Sequence, residues 1–321
     1  MLPEPAQQAT ETRQSVSPSY WAISIRRLLR KKIGVACLTI IVIMYGSGIF
    51  APLVTPYGFN DQNLSIAKQG PSVGHPFGTD RLGRDNLTRV IYGLRTTVII
   101  TVITLATGSL ALGITLGLLA GYFGKFVDTL IMRVGEVSSA FPEIFLVLII
   151  ISTLKAPITR WARSVEDIVG FEIVSLGVVD YLVLALALAI FSWFGMARLV
   201  RGQVLQAREN QYVEAARAIG ASTPRILWRH LLPNVMGPVI VTVSAGLAGV
   251  AGSEVLLSFL GIGIQPPTPS LGLMIFENGS ISVLRSDPHL LLFPVLTLSL
   301  LLFTFNLLGD AVNDAFNPRA R

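Results

Sequence analysis

Six long apolar runs, separated by polar segments, dominate this chain. They cover residues 33–54, 96–124, about 129–153, 181–197, about 234–257 and 290–309. Each is long enough to cross about 30 Å of hydrocarbon as an α-helix. The run at 181–197 is the shortest, so its ends are the least defined. The hydrophobicity is continuous rather than alternating, which predicts helices and not a β-barrel. The expected fold is therefore an all-α integral membrane protein with six transmembrane helices.

The polar segment between the fourth and fifth runs has the pattern of a built element. Over residues 205–219 the apolar positions Leu205, Tyr212, Ala216 and Ile219 share one helical stripe. Gln203, Asn210, Glu214 and Arg217 fall on the opposite face. Gly220 stands where a left-handed residue would end the helix. Ser222 or Thr223 can cap a following helix, and Pro224 suits its first turn. Two capped helices in a polar loop predict a docking surface.

Composition agrees with the pattern. The chain is 52% hydrophobic and 14% charged, with a mean hydropathy of +0.64, whereas soluble domains carry roughly 25% charged residues. Orientation follows from Lys and Arg. With the N-terminus inside, the inner segments hold 15 of them and the outer loops 8. Both termini and the Glu214 loop are then cytoplasmic, and the net charge of +6 is mostly this topology signal. It gives no indication of nucleic-acid binding. Residues 1–32 read as a cytoplasmic tail whose basic amphipathic part lies along membrane lipid. The single Cys37, inside the first run, cannot form an internal disulfide. That run is too long for a signal-peptide core and reads as an uncleaved anchor.

Several polar residues stand inside apolar surroundings. Glu136 and Glu143 flank Pro142 in the third run, seven residues apart and so expected on one face of a kinked helix. Glu136 can pair with Arg133. Glu254 lies in the outer part of the fifth run and needs a partner or water there; a structural hydrogen bond and a cavity role both fit. Gly113, Gly117 and Gly121 recur every four residues in the second run, a spacing that lets helices approach closely. The segment 55–94 is rich in Gly, Asp and Arg, which predicts tight turns and local ion pairs. The segment 154–178 is expected to form a short amphipathic outer helix.

These residues also carry a resemblance. Glu214, Ala215, Ala216, Gly220, Leu232 and Pro233 resemble the "EAA" signature of permease subunits in bacterial binding-protein-dependent ABC importers. His230 takes the usual Ile position, as in the peptide and nickel group. His75-Pro76-Phe77-Gly78-Thr79-Asp80, with Gly83-Arg84-Asp85 and Tyr92-Gly93-Leu94-Arg95, is similar to a second signature of that group, with Thr88 in place of Ser. Met132-Arg133 and Ala140-Phe141-Pro142 resemble a third pattern, with Glu136 replacing Asp and Glu143 outside it. Glu254 and Gln265-Pro266-Pro267-Thr268-Pro269-Ser270 resemble a fourth, with Leu271 replacing Trp. The likeness runs from about Lys31 to Arg321, with 154–178 outside it.

The resemblance implies a type I ABC importer permease fold: a first span at 33–54, an extracytoplasmic loop at 55–94, a core at 95–310 and a cytoplasmic tail at 311–321. It implies a coupling helix at about 205–220 that meets an ATPase through Tyr212, Glu214, Ala215, Ala216, Gly220 and Ala221. It also implies a sister permease, two ATPase subunits or domains that bind ATP and Mg, and an extracytoplasmic solute-binding protein, in the plasma (inner) membrane of a bacterium. Di- or oligopeptides are the expected cargo, with nickel or a glycopeptide as alternatives. Glu136, Glu143 and Glu254 are candidates for the translocation path or the bundle interior.

The chain holds no nucleotide-binding Gly-x-x-x-x-Gly-Lys-Ser/Thr loop and no His/Cys group with zinc spacing. No cofactor or metal is therefore expected on the chain itself. A proton-driven transporter using the three glutamates is a rival reading, but it leaves the capped polar loop unexplained. A membrane-embedded enzyme would lack a nucleophile or metal constellation.

Overall fold

A computed structural model describes residues 20–170, 174 and 177–316. Most of the expected N-terminal tail, Arg319 and Arg321 at the C-terminus, and Glu172 in the outer loop lie outside the described residues. The helices are α1 (Tyr20–Arg30), α2 (Lys32–Ile49), α3 (Asn86–Phe123), α4 (Lys125–Ser139), α5 (Glu143–Val169), α6 (Val178–Ala207), α7 (Gln211–Ala218), α8 (Thr223–Phe259), α9 (Leu271–Asn278), α10 (Ile281–Ser286) and α11 (His289–Phe316). Six of them, α2, α3, α5, α6, α8 and α11, contain a stretch long and apolar enough to cross a membrane.

The second and fourth spans form the tightest pair, and glycine is the reason. A Cβ on Gly113 would stand 2.7 Å from Met196 Cβ, one on Gly117 2.7 Å from Val200 Cβ, and one on Gly121 2.7 Å from Val204 Cβ. All three glycines face α6, as their spacing predicts. A fourth, Gly108, belongs to the same face, where a Cβ would meet the Ala189 carbonyl at 2.7 Å. It precedes Gly113 by five residues rather than four. Residues Leu105–Gly113 are wound as a π-helix, whose i→i+5 bonding stacks residues five apart where an α-helix stacks residues four apart. The wide turn therefore brings Gly108 into line.

The third span differs from expectation. The run at 129–153 is not one kinked helix. The chain leaves helical geometry at Ala140–Pro142, and α5 restarts at Glu143 behind an extended Pro142 (φ −60°, ψ 123°). Proline lacks the N–H and crowds the preceding turn, so two helices replace one. Glu136 and Glu143 consequently do not share a continuous helical face. The apolar stretch that can span begins at Glu143 and reaches Ile168. The short separate helix expected within 154–178 is instead the end of α5, where Lys155 pairs with Asp180 at 3.0 Å.

The remaining spans pack around α8. Met44 of α2, Val90 and Leu94 of α3, Ala251 and Val255 of α8, and Leu301 and Phe305 of α11 form one buried cluster with Leu271 and Met274 of α9. The last span continues to Phe316, beyond the expected 309. Lys31 meets Asp314 there at 2.7 Å, tying the start of α2 to the end of α11.

The segment before α3 is an ordered cap centred on Asp80. Its Oδ1 accepts from the backbone N–H groups of Leu82 (2.8 Å) and Arg84 (3.0 Å), and its Oδ2 from Arg84 Nε and Arg89 Nη1, both at 2.7 Å. Burial pushes the carboxyl up, but Arg89, the Arg84 backbone and side chain, and the Leu82 backbone outweigh it, so its pKa lies below the usual carboxylate range. Asp85 caps α3 by accepting from Thr88 N (2.7 Å) and contacts His75 Nδ1 at 2.9 Å. These are the local turns and ion pairs that the composition of 55–94 predicts.

Candidate functional site

Three polar features stand out in the apolar bundle: the helix α7, the buried Glu254 and a cavity bordered by Glu143.

The fourth span ends at Ala207, and residues Arg208–Asn210 turn the chain before α7 begins at Gln211. Val213 and Ala216 are buried in a cluster with Leu118 of α3, Val200 and Val204 of α6, and Ile226 and Leu231 of α8. This phase corrects the expected stripe. A continuous helix from Leu205 would bury Tyr212 and Ile219, but the break at Arg208–Asn210 resets the register. Tyr212 is instead exposed, and Ile219 is 85% exposed. Together they put large apolar side chains on the surface of the same short helical segment as the exposed Glu214 and Ala215.

The C-terminus of α7 closes as its sequence predicts. Gly220 has φ +78°. Its N–H donates to the Arg217 carbonyl (2.9 Å), and the Ala221 N–H donates to the Ala216 carbonyl (3.0 Å). This is a complete Schellman motif. Ser222 occupies the next cap position, but its side chain accepts no capping bond. The α7 segment is then held against the spans by polar contacts. The Arg217 guanidinium lies over the Tyr122 ring at 5.2 Å, and Arg208 Nη1 donates to the Gly121 carbonyl at 3.0 Å. Arg201 forms a bidentate pair with Asp128 of α4. The α7 segment is therefore in direct contact with α3 and α6.

Beyond Arg225 the chain passes through a second π-wound segment, Ile226–Leu231, into the rest of α8. Pro233 has no N–H to give, and Asn234 Nδ2 donates to the His230 carbonyl at 2.6 Å.

Glu254 is fully buried. Its Oε2 accepts from Thr97 Oγ1 at 2.9 Å, and its Oε1 from Ser258 Oγ at 3.0 Å and Ser270 Oγ at 3.3 Å. Ser258 and Ser270 in turn accept from the backbone N–H groups of Ile264 (3.3 Å) and Leu273 (3.4 Å). The carboxyl thus joins α8 to α3 and to the start of α9, inside its own bundle and away from lipid. Ser258 was foreseeable one helical turn away. Thr97 and Ser270, distant in sequence, were not. A Cβ on Gly249 or Gly252, in the turn before Glu254, would meet nothing within 4 Å.

Glu136 is exposed and pairs with Arg133 at 2.9 Å, as expected. Glu143 lies elsewhere. It borders a cavity of about 300 Å³ between α3, α5, α6 and α8, which Thr104, Ser109, Ser192, Thr242 and Ser253 also line. The structure therefore separates the three candidate glutamates. Glu136 makes a surface pair, Glu143 faces a cavity, and Glu254 belongs to a closed hydrogen-bond node. Among the described residues no group of His, Cys, Asp and Glu is arranged to hold a metal ion.

Six helices long and apolar enough to span a membrane, with a capped, partly apolar helix exposed at one end, define a polytopic membrane protein. The chain belongs to the family described as binding-protein-dependent transport system inner membrane component, which matches residues 113–321. Residues 19–71 match the N-terminal transmembrane domain of oligopeptide transport permease C. The dipeptide transport system permease protein of Alkalihalophilus pseudofirmus is 34% identical over 321 residues, 100% of this chain and 97% of that one. The oligopeptide transport system permease protein of Bacillus subtilis is 33% identical over 305 residues, 95% and 92% of the two chains. The glutathione transport system permease protein of Pectobacterium atrosepticum is 34% identical over 302 residues, 94% and 92%. A solved methionine ABC transporter in inward-facing conformations is 18% identical, with a TM-score of 0.48 over 71% of this chain and 96% of that one. The family assignment, which rests on the sequence matches, makes the chain a multi-pass inner-membrane transport subunit and not an enzyme. It implies ATPase and binding-protein partners and disfavours the proton-driven reading.

Proposed function

We propose that this chain is one of two permease subunits through which a solute-binding protein delivers di- or oligopeptides for ATP-driven uptake. The observation that carries the coupling part is α7. Its inner face is locked onto α3, α6 and α8, while Tyr212, Glu214, Ala215 and Ile219 face outward. Such a helix suits a groove on an ATPase. Closure of two ATPase subunits around ATP and Mg would push α7, and the packed spans would carry the motion to the cavity. In this reading α7 and both termini are cytoplasmic, in keeping with the Lys and Arg distribution. The peptide cargo is supported by relatives whose names specify dipeptide, oligopeptide and glutathione transport.

The test is reconstitution. The chain is assembled with its sister permease, ATPases and binding protein in proteoliposomes, and uptake of labelled dialanine is followed with and without ATP. ATP-dependent accumulation supports the reading. Accumulation of nickel or a glycopeptide in place of peptides would reassign the cargo, and uptake unaffected by ATP would overturn the coupling role.

A further inference from the structure

Glu143 is an acidic group with an open side. The chain break at Ala140–Pro142 starts α5 there and turns the carboxylate into the cavity between α3, α5, α6 and α8. The cavity lies between the start of α5 and the middle of α6 and α8. Ser192 is at the centre of α6, and Thr242 and Ser253 lie well inside α8. Its lining contains one charge, Glu143, and no Lys, Arg or His. The carboxylate has no hydrogen-bond or ion-pair partner among the described residues. Its place in the first turn of α5 gives it some help from the helix dipole. A carboxylate without a partner in its own chain leaves its charge to be met by a cation or a good donor that enters the cavity.

The rest of the cavity indicates what kind of cation fits. Ser109, Ser192, Thr242 and Ser253 supply hydroxyls that both donate and accept, as the amide groups of a peptide require. Gly195, Gly246 and Gly249 leave open space where side chains would stand, so an extended backbone can lie close to the helices. The volume of about 300 Å³ is at the small end of ligand sites, enough for one end of a peptide. The end that matches a lone carboxylate is the amino terminus.

We propose that the Glu143 carboxylate receives the α-ammonium group of an incoming peptide. The inference rests on the peptide reading above and deepens it. The complete importer without binding protein, in lipid nanodiscs, is titrated with labelled dialanine. Competition is measured with alanine amide, which has an ammonium and no carboxylate, and with N-acetylalanine amide, which has neither. Alanine amide should displace the label at least tenfold better than its acetylated form. Glu143→Gln should weaken dialanine binding at least tenfold and abolish that preference, while Glu143→Asp should stay within about threefold of the native protein.

Native-like binding by Glu143→Gln, equal competition by the acetylated compound, or no saturable binding to the native importer overturns the proposal. Loss of the sister permease when Glu143→Gln is purified also overturns it, because the carboxylate would then be an assembly contact. Uptake of dialanine by the native proteoliposomes separates the two levels. If uptake occurs and the Glu143 result fails, only this inference falls. If neither uptake nor binding occurs, the peptide reading falls with it.

Discussion

Thr97 Oγ1 donates to Glu254 Oε2 across 2.9 Å, and through that bond the second span holds the fifth. With Ser258 and Ser270 on the other oxygen, the node places one carboxyl where three elements meet. Buried this completely, the carboxyl gives Thr97, Ser258 and Ser270 an acceptor where no water competes.

Glu254→Gln should fold and assemble, since the amide oxygen keeps the Thr97 bond and the serine hydroxyls can rotate to accept. Glu254→Leu strands the Ser258 and Ser270 hydroxyls in an apolar site, while Thr97 keeps only its longer bond to the Gly93 carbonyl (3.3 Å). Each unsatisfied group costs about 1–3 kcal/mol, so the melting temperature of the purified complex should fall well below that of the Gln variant. Equal melting temperatures for the two would show that the node is dispensable.

Gly220 offers a cleaner separation of backbone from packing. A Cβ there would meet nothing within 4 Å, yet φ is +78°. Gly220→Val should therefore lose coupling through backbone strain alone, about 1–2 kcal/mol or more for a β-branched residue. Gly220→Asn should be nearly native, because Asn tolerates the left-handed region. Uptake measured alongside ATP hydrolysis reads the difference, and native coupling in the Val variant would remove the α7 cap from the mechanism.

The α3–α6 contact predicts the opposite dependence. At Gly117 a Cβ would sit 2.7 Å from the Ala197 carbonyl and from Val200 Cβ, neither of which can swing away. Gly117→Leu should destabilise the bundle by about 1–3 kcal/mol as an overpacking change. Gly202→Ala, in open space within α6, is expected to leave the melting temperature unchanged or slightly raised, because Ala is the better helix former by about 0.5–1 kcal/mol.

Asp80 predicts a pH dependence of stability. Its folded pKa lies below the ordinary 3.8, so the stabilisation is fully present above that value and is lost as the pH falls through the lower, folded pKa. Asp80→Asn should remove this acid-sensitive component. It should also destabilise at neutral pH by about 3–5 kcal/mol, the range for breaking a buried pair, because Arg84 and Arg89 lose their shared carboxylate. Denaturation curves at neutral and acid pH compare the two proteins. An unchanged acid limb in the Asn variant would mean that another group controls it.

Orientation is open to direct chemical test. Ser72 lies in the exposed segment before α3, which the charge distribution assigns to the outside. Ser72→Cys in a Cys37→Ala background should react with a membrane-impermeant maleimide in intact cells. Reaction only after the inner membrane is opened would reverse the topology.

The sequence by itself determined the class and the number of spans. Hydrocarbon thickness fixes helix length, and the six apolar runs are visible without any long-range information. It also determined the Gly220 cap, because a left-handed residue after Ala216–Ile219 is a local requirement. The Gly113, Gly117 and Gly121 face was readable too, since periodicity is local. Tertiary structure decided the rest. Gly108 joined that face only because a π-turn changed the period. Tyr212 and Ile219 turned outward because a three-residue break reset the phase of α7. The three glutamates are alike in the sequence and separate in space. Arg133 lies one turn from Glu136, whereas Glu254 depends on Thr97 and Ser270, 157 and 16 residues away. Glu143 faces a cavity whose walls come from four helices. Helix length, caps and periodicity are set within a few residues, so one chain's sequence displays them; which polar groups meet inside the bundle is set by how the helices pack.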